Sequence, residues 1–344
     1  MVAVDPRKIA EQAQLRYISD DTPGFQRLRW GRGFTYRDTE GETIRDDDLR
    51  EWIESIVIPP AWTDVWISPY KNGHILATGR DEAGRKQYRY HPRWVEYRNC
   101  HKFDRMAMFG QQLPQIRKIT DAHLRKRALT RKKILAIIVR LLETTLIRIG
   151  NIEYARHNHT YGLTTLHDDH VEFYGQGMCF TFTGKSGKAH TVDVKDRALA
   201  RVVKASQDIP GYELFQYYDQ DGERHPVDSS EVNDYLHQIS GDDFTAKDFR
   251  TWGGSVAAVR ALCSLPTCDT DDERDQNVVE AVKQVAADLG NTPAVCRQYY
   301  IHPAVIEAYL QDELNAVIDR QPDPEDAHAL DRHERALIEL ITTD

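Results

Sequence analysis

The sequence lacks the features of a membrane or disulfide-rich protein. A bilayer span needs roughly 20 apolar residues, and no stretch approaches that length, nor does an apolar leader with a cleavage site open the chain. Its cysteines are odd in number and scattered, and Cys263 and Cys268 lack the Cys-x-x-Cys spacing of a zinc site. These absences predict a cytoplasmic protein without a disulfide framework or structural zinc. A length of 344 residues predicts about two domains.

Charge is unevenly distributed along the chain. The formal net charge is −9, but residues 101–200 carry 17 Lys and Arg against 9 Asp and Glu. The surplus is densest at 117–118 and 125–133. A basic band on an acidic protein is compatible with nucleic-acid binding, because binding depends on the face presented and not on total charge. A solvated helix face would explain the same residues equally well.

The first hundred residues read as a small antiparallel sheet domain. From residue 14 onward, short β-like runs alternate with glycine-bearing turns, as in 34–41 and 65–79. A helix over Asp47–Ser55 interrupts them, and Pro59-Pro60 marks a break after it. We therefore expect a β-rich N-terminal domain over residues 1–100.

The rest of the chain has mainly helical periodicity. Leu135, Ile138, Val139, Leu142 and Leu146 recur at three- and four-residue steps and predict an amphipathic helix ending near Gly150. Strands at 171–174, 179–183 and 191–194 place Lys185 in a Gly-Lys-Ser-Gly turn. Residues 226–240 predict a helix capped at Asp228 or Ser229, and 269–275 read as a charged loop. The predicted fold class is α+β, with a helical catalytic domain over 101–320 and a tail with one short helix over 321–344.

Five residues from four separate segments form one candidate site for phosphate chemistry. Cleaving a phosphodiester without a metal requires guanidinium groups for the developing charge, a proton donor for the leaving alkoxide and a nucleophile. The candidates that supply these groups are Arg148, Lys185, Lys247, Arg250 and Tyr300.

Each candidate taken alone has an ordinary structural explanation. Arg148 could bind carbonyls at a helix end, and Lys185 could be a solvated turn residue. Arg250 could pair with a neighbouring carboxylate from the set Asp242, Asp243 and Asp248. Tyr299 competes with Tyr300, since adjacent helical side chains point about 100° apart; spacing from Thr292-Pro293 favours Tyr300.

Together, the blocks that hold these residues resemble a known family. They are Gly84-Arg-Lys-Gln-Tyr-Arg-Tyr, Arg148-Ile-Gly with Tyr161-Gly-Leu-Thr-Thr-Leu, Phe182-Thr-Gly-Lys, Lys247-Asp-Phe-Arg-Thr, and Gly290-Asn-Thr-Pro through Tyr300. In this order, over residues 20–310, the chain resembles a type IB DNA topoisomerase of the poxvirus-like bacterial kind.

The resemblance implies a role for each residue. Tyr300 would attack the scissile phosphate and form a 3′-phosphotyrosyl bond, and Lys185, assisted by Lys247, would protonate the departing 5′-oxygen. Arg148 and Arg250 would bind the nonbridging oxygens. Asn291 stands where many members carry His, and it can donate a neutral hydrogen bond but cannot titrate. Neither a metal, a nucleotide nor another cofactor would be needed to relax supercoils of either sign.

The resemblance also implies double-stranded DNA as the partner, bound by a monomeric, nucleoid-associated clamp whose two domains close on the duplex. The residues expected to contact DNA are Arg80, Arg85, Gln87, Tyr88, Tyr90 and Tyr154.

Three other interpretations share some of these features. A tyrosine site-specific recombinase shares the Arg, Lys, Arg, Tyr chemistry, but usually carries a His-x-x-Arg block where this chain has Lys247-Asp-Phe-Arg. A non-catalytic DNA-binding protein of the same fold is the second. The third is a metal site formed by histidines that flank Tyr161, which we disfavour because they show no coherent ligand spacing; they are His157, His159, His167 and His170.

Overall fold

The structure is a computed structural model. It describes residues 6–31, 33–82, 84, 86–219, 221–266, 268 and 270–342. The chain divides into two compact units, residues 1–103 and 104–344. Within the described residues no helix is both long and apolar enough to cross a membrane.

Unit 1 is built on a five-stranded antiparallel sheet in the order β2-β1-β3-β4-β5. Its elements are α1 (Pro6–Gln12), β1 (Phe25–Trp30), β2 (Gly33–Arg37), α2 (Asp47–Ser55), β3 (Thr63–Ile67), β4 (Ile75–Arg80), β5 (Lys86–Tyr90) and the start of α3 (Pro92–Leu124). The helix α2 has the bounds that the sequence predicts, because Asp46 caps it by accepting the Leu49 N–H at 2.8 Å. The core of this unit packs Ile53 of α2 against Phe25, Ile67 and Ala77 of the sheet.

Unit 2 is mainly helical and carries a three-stranded antiparallel sheet in the order β6-β7-β8. Its elements after α3 are α4 (Arg131–Thr145), α5 (Ile152–Asn158), β6 (Val171–Tyr174), β7 (Gly177–Thr183), β8 (Ala189–Val194), α6 (Arg197–Gln207), β9 (Gln216–Tyr218), β10 (Arg224–Pro226), α7 (Ser229–Ser240), α8 (Ala246–Ser264), α9 (Asp271–Asp288), α10 (Pro293–Tyr299), α11 (Pro303–Leu310), α12 (Leu314–Asp319) and α13 (Arg332–Thr342). Antiparallel sheet and helices in these proportions confirm the α+β class.

Two helices, α4 and α8, supply the largest part of the unit 2 core. Residues 133–139 of α4 are buried all around the helix, as expected for a helix enclosed by neighbours. Phe249 of α8 meets Phe109 of α3 edge to face, with ring centroids 4.9 Å apart. Because packing fixes both helices in the core, the segments that follow their ends have defined positions.

Two sequence-based boundaries are wrong. The helix α4 ends at Thr145 and not near Gly150, because Leu146 adopts a left-handed conformation with φ of 54°. The predicted loop 269–275 is largely helix, since α9 begins at Asp271. Thr270 caps this helix, and the three acidic residues in its first turn interact favourably with the positive end of the helix dipole. Asp269 itself lies outside the described residues.

The C-terminal segment, predicted as a tail, belongs to unit 2. Helix α13 brings Glu334 to Arg117 of α3, with 2.6 Å between carboxylate and guanidinium. Arg117 also pairs with Glu143 of α4 at 2.5 Å. These three residues form a half-buried ion network between α3, α4 and α13, so Arg117 is part of the scaffold and not of an exposed basic face.

Candidate active site

Arg250 lies on the first turn of α8 and points into the protein. Asp248, one of its predicted partners, instead closes the start of the helix by accepting from the Thr245 N–H and hydroxyl at 2.8 and 2.9 Å. The Arg250 guanidinium donates to the carbonyls of Leu146 and Leu289, the latter at 2.9 Å. The salt-bridge interpretation of Arg250 is therefore wrong, and its side chain ties the end of α4 to the end of α9.

Arg148 is held by the strand-like segment that follows α4. Its carbonyl accepts the Leu163 N–H at 2.9 Å, and the Ile149 carbonyl accepts the Thr164 N–H at 2.7 Å. A side chain at Gly162 would come within 2.5 Å of the Arg148 carbonyl, so this close approach requires glycine. The Tyr161-Gly-Leu-Thr-Thr block thus supports the backbone that carries Arg148, and Arg148 does not cap a helix.

Tyr300 is positioned by α8. It ends α10, whose start is set by Thr292 as cap and by Pro293 at the first position. A Cβ at Gly254 would lie 2.8 Å from the Tyr300 carbonyl oxygen, so glycine allows Tyr300 to pack directly on α8. The Ser255 hydroxyl donates to that carbonyl at 3.1 Å and accepts the His302 N–H at 3.0 Å. Gly254 and Ser255 are therefore the residues of α8 that position the tyrosine.

The two arginines converge on the Tyr300 hydroxyl. Both guanidiniums lie beside it, and the Arg250 guanidinium carbon lies 5.3 Å from the centre of the Tyr300 ring. Burial and the neighbouring Arg148 lower the pKa of Arg250 to about 10, and burial lowers the pKa of Arg148. Neither arginine forms an ion pair with a carboxylate within the described part of the chain. Arg250 is buried and Arg148 half-buried, and two such uncompensated cations next to a phenol make a site that favours an anion.

Asn291 completes this pocket with an unused donor. Its side-chain oxygen accepts from Arg148 at 2.7 Å, which fixes the orientation of the amide. Asn291 Nδ2 and Arg250 Nε are then buried nitrogens without a hydrogen-bond partner among the described residues. Leaving a buried donor unpaired costs about 1–3 kcal/mol. Two such donors in one pocket are explained if a ligand with acceptor oxygens, such as a phosphate, satisfies them.

No hydrogen bond or ion pair joins the two lysine side chains to this pocket within the described residues. Lys185 is exposed in the turn between β7 and β8, where Ser186 and Gly187 adopt positive φ of 66° and 72°. Lys247 is exposed on the first turn of α8. Neither side chain forms an ion pair or hydrogen bond with a residue that the structure describes.

Sequence reasoning missed Lys188 and His190, which follow Lys185. The Lys188 ammonium donates to the Asn291 carbonyl at 3.0 Å. His190 lies in β8 on the face shared with Val192 and Val194, and its ring stacks on Phe182 with 5.1 Å between centroids. The period-two pattern of His190, Val192 and Val194 was the available signal, because it predicts an inward-facing histidine.

The predicted DNA-contacting residues of unit 1 divide between two faces of β5. Tyr88 and Tyr90 are exposed on one face and stack with 5.7 Å between ring centroids. Lys86, which sequence reasoning did not select, lies on the same face, 2.6 Å from Asp20. Gln87 faces the other way and donates to Asp81 at 2.9 Å, because side chains alternate along a strand.

The remaining predicted contacts have mixed environments. Arg80 is half exposed, 3.7 Å from Asp64, and donates to the Gly84 carbonyl. Tyr154 is exposed on α5. Arg85 lies outside the described residues.

The basic band of residues 117–133 does not form one continuous surface. Besides Arg117, Lys133 is buried and donates to the Lys126 carbonyl, and Arg131 pairs with Glu231 at 2.7 Å. The side chains of Lys126, Arg127 and Lys132 remain exposed.

One histidine cluster does come together. His167, Asp169 and His170 place a potential ligand atom each within 4.8 Å of the others, a grouping that the sequence spacing did not predict. However, His170 Nδ1 accepts the His167 N–H at 3.0 Å. A neutral His170 then carries its proton on Nε2 and has no free lone pair for a metal. The donor set therefore does not fit a metal ion in this arrangement.

The fold and the pocket together define a protein whose helical unit holds a tyrosine between two arginines. Residues 91–322 match the family model described as "Eukaryotic DNA topoisomerase I, catalytic core", and residues 33–81 match "Bacterial DNA topoisomerase IB, N-terminal domain". The chain belongs to the type IB DNA topoisomerases, a family of isomerases.

Known relatives are similar along most of the chain. A DNA topoisomerase 1B of Acanthamoeba polyphaga mimivirus is 29% identical over 311 residues, covering 88% of this chain and 92% of the viral protein. The DNA topoisomerase 1B of Vaccinia virus (strain Copenhagen) is 22% identical over 80% of this chain and 87% of its own length. DNA topoisomerase 1 of Rabbit fibroma virus is 24% identical, with 84% and 93% covered.

Proposed function

We propose that this protein relaxes supercoiled DNA by nicking one strand through Tyr300, allowing rotation, and resealing the strand. The observation that carries the proposal is the pocket in which Arg148 and Arg250 converge on the Tyr300 hydroxyl while Asn291 Nδ2 and Arg250 Nε lack partners. Transfer of a phosphoryl group to a phenol develops charge on the nonbridging oxygens. Fixed donors aimed at that charge are usually the largest contribution to such catalysis.

The balance of bonds supports a reversible cycle. The Tyr300 oxygen bonds to phosphorus and its hydroxyl proton passes to solvent. The bond from phosphorus to the 5′-oxygen breaks, and a proton goes to that oxygen from Lys185 with Lys247, the proposed donors, which regain it from solvent. The tyrosyl ester retains the energy of the phosphodiester, so the reverse attack reseals the strand without a nucleotide. Since Lys185 is exposed on a turn, we propose that DNA binding brings it to the leaving oxygen.

The test is relaxation of a supercoiled plasmid in EDTA without nucleotide. We expect topoisomers of intermediate linking number and a denaturant-resistant adduct between protein and DNA, both absent from Tyr300→Phe. Tyr299→Phe is the matched control and should retain activity. Recombinant products would identify the recombinase alternative instead, and an adduct formed equally by Tyr300→Phe would refute the assignment of the nucleophile.

A further inference from the structure

The Lys185 side chain is exposed and forms no hydrogen bond or ion pair with the described residues, so other residues must fix the turn that carries it. The turn between β7 and β8 runs from Gly184 to Lys188, and its backbone closes on itself, with the Gly184 N–H donating to the Lys188 carbonyl at 2.7 Å. A turn whose backbone hydrogen bonds lie mainly within the turn can move as one rigid unit. Its contacts with the catalytic centre therefore decide where Lys185 lies.

Those contacts come from His190 and Lys188. A Cβ built on Gly184 would lie 2.5 Å from His190 Cδ2 and 2.6 Å from Nε2, and a Cβ built on Gly290 would overlap His190 Cε1. The imidazole therefore packs between Gly184, which precedes Lys185, and Gly290, which precedes Asn291. Gly290 has φ of 59°, so both its conformation and the ring beside it require glycine. Phe182 supports the opposite surface of the ring, nearly parallel at 9°.

We infer that His190 is a positioning residue that docks the Lys185 turn onto the Gly290–Asn291 corner of the active site, with Lys188 as its partner in this docking. The inference rests on the proposed role of Lys185 as proton donor. His190 makes no hydrogen bond through its ring to any described residue, so its contribution comes from shape and from charge state.

The charge state of His190 has a defined direction. Burial, together with the cations of Arg148, Arg250 and Lys188, lowers the pKa of His190. These cations face the ring from the segment after α4, from α8 and from its own hairpin. At neutral pH the ring is uncharged and packs between Gly184 and Gly290. Acidification through the lowered pKa adds a fourth cation, and repulsion then displaces the turn.

The experiment measures single-turnover formation of the covalent adduct on two duplexes, one with the ordinary 5′-oxygen leaving group and one with sulfur in its place. A thiolate leaves without a proton, so it removes the need for Lys185. His190→Ala should be slower on the oxygen substrate by about 10- to 10²-fold and recover most of the loss on the sulfur substrate. Lys185→Ala should show the same pattern. His190→Ala must also bind duplex DNA and melt near the wild type.

Two outcomes overturn the inference. His190→Ala could keep the wild-type rate, or it could stay equally slow on both substrates while Lys185→Ala recovers. If Lys185→Ala itself does not recover, the proton-donor assignment fails, and the pH profile decides on His190. The wild-type rate should fall on acidification below pH 6.5, the ordinary histidine pKa, whereas His190→Gln should not show that fall. Identical acid limbs for the two proteins would remove the role of His190.

Discussion

At the scale of single residues, Asn291 carries two separable functions. Its Oδ1 holds Arg148, while its Nδ2 is the unpaired donor. Asn291→Asp keeps the shape and strengthens the acceptor for Arg148, but it replaces the donor with an anion. If Nδ2 donates to a phosphate oxygen, cleavage should fall by about 10²–10³-fold, measured as the rate of adduct formation.

The matched variant Asn291→His restores a donor and should keep activity. Cleavage by Asn291→Asp at the wild-type rate would mean that Asn291 only orients Arg148. Loss of activity in Asn291→His would show that the space beside His190 and Gly290 does not accept a ring.

At the scale of elements, Gly254 is the residue of α8 against which Tyr300, the proposed nucleophile, packs. Gly254→Ala places a methyl group 2.8 Å from the Tyr300 carbonyl and 3.0 Å from the Tyr300 Cβ. Backbone must shift, and a displacement near 1 Å at a nucleophile costs on the order of 10²-fold in rate. Adduct formation by Gly254→Ala measures this, with DNA binding expected to be unchanged.

Gly33→Ala is the control for this substitution, since no heavy atom lies within 4 Å of the added Cβ and its φ is not positive. It should react at the wild-type rate. A Gly254→Ala protein as fast as Gly33→Ala would show that Tyr300 is seated by other contacts.

The ion network of Arg117, Glu143 and Glu334 links α3, α4 and α13. Opposing effects act on Arg117: burial lowers its pKa, but Glu143 and Glu334 outweigh burial and raise it. Glu334→Ala leaves a half-buried cation with one partner fewer, and truncating a buried pair costs about 3–5 kcal/mol. The melting temperature of the whole chain should therefore fall clearly.

Arg260 provides the comparison. It pairs with Asp331, which lies in the same C-terminal segment as Glu334, and this ion pair is exposed. Arg260→Ala should change the free energy of unfolding by about 0–1 kcal/mol. Equal destabilisation by both variants would mean that the network contributes no more than a surface pair.

At the scale of the whole molecule, we propose that unit 1 offers a second surface for DNA. Lys86, Tyr88 and Tyr90 share the exposed face of β5, and Asp20 neutralises Lys86. Lys86→Ala should weaken duplex binding for all sequences and reduce the slope of log affinity against log salt by about one. Asp20→Asn should have the opposite effect, and Gln87→Ala, on the other face, should change neither. Titrations of labelled duplex at several salt concentrations measure all three.

How much of this molecule the sequence predicts depends on the range of the interactions involved. The cap of α2 at Asp46 and that of α7 at Asp228 are local, and both helices begin where expected. The end of α4 is not local: Leu146 turns left-handed while its carbonyl is taken by Arg250, 104 residues later. The periodicity of apolar residues alone cannot indicate a partner as distant in sequence as Arg250.

The site shows the same division. Arg148, Arg250, Asn291 and Tyr300 could be selected because their residue types and order match one chemistry, and the structure brings them together. Arg117 was misread as surface charge because its partner Glu334 is 217 residues away. His190 was missed because the corner it fills, at Gly290, comes from a distant segment, so only the folded chain reveals what the ring touches.

In the proposed reaction, the guanidinium of Arg250 serves both the scaffold and the substrate. Because it already joins the carbonyls of Leu146 and Leu289, an arriving phosphate meets a donor that has lost its rotational freedom in advance, and little entropy remains to be lost on binding. Removing this side chain would destabilise the ends of α4 and α9 as well as the anion site. Rates for any Arg250 variant therefore have to be read together with its melting curve, since a slow enzyme and a loosened one would otherwise look alike.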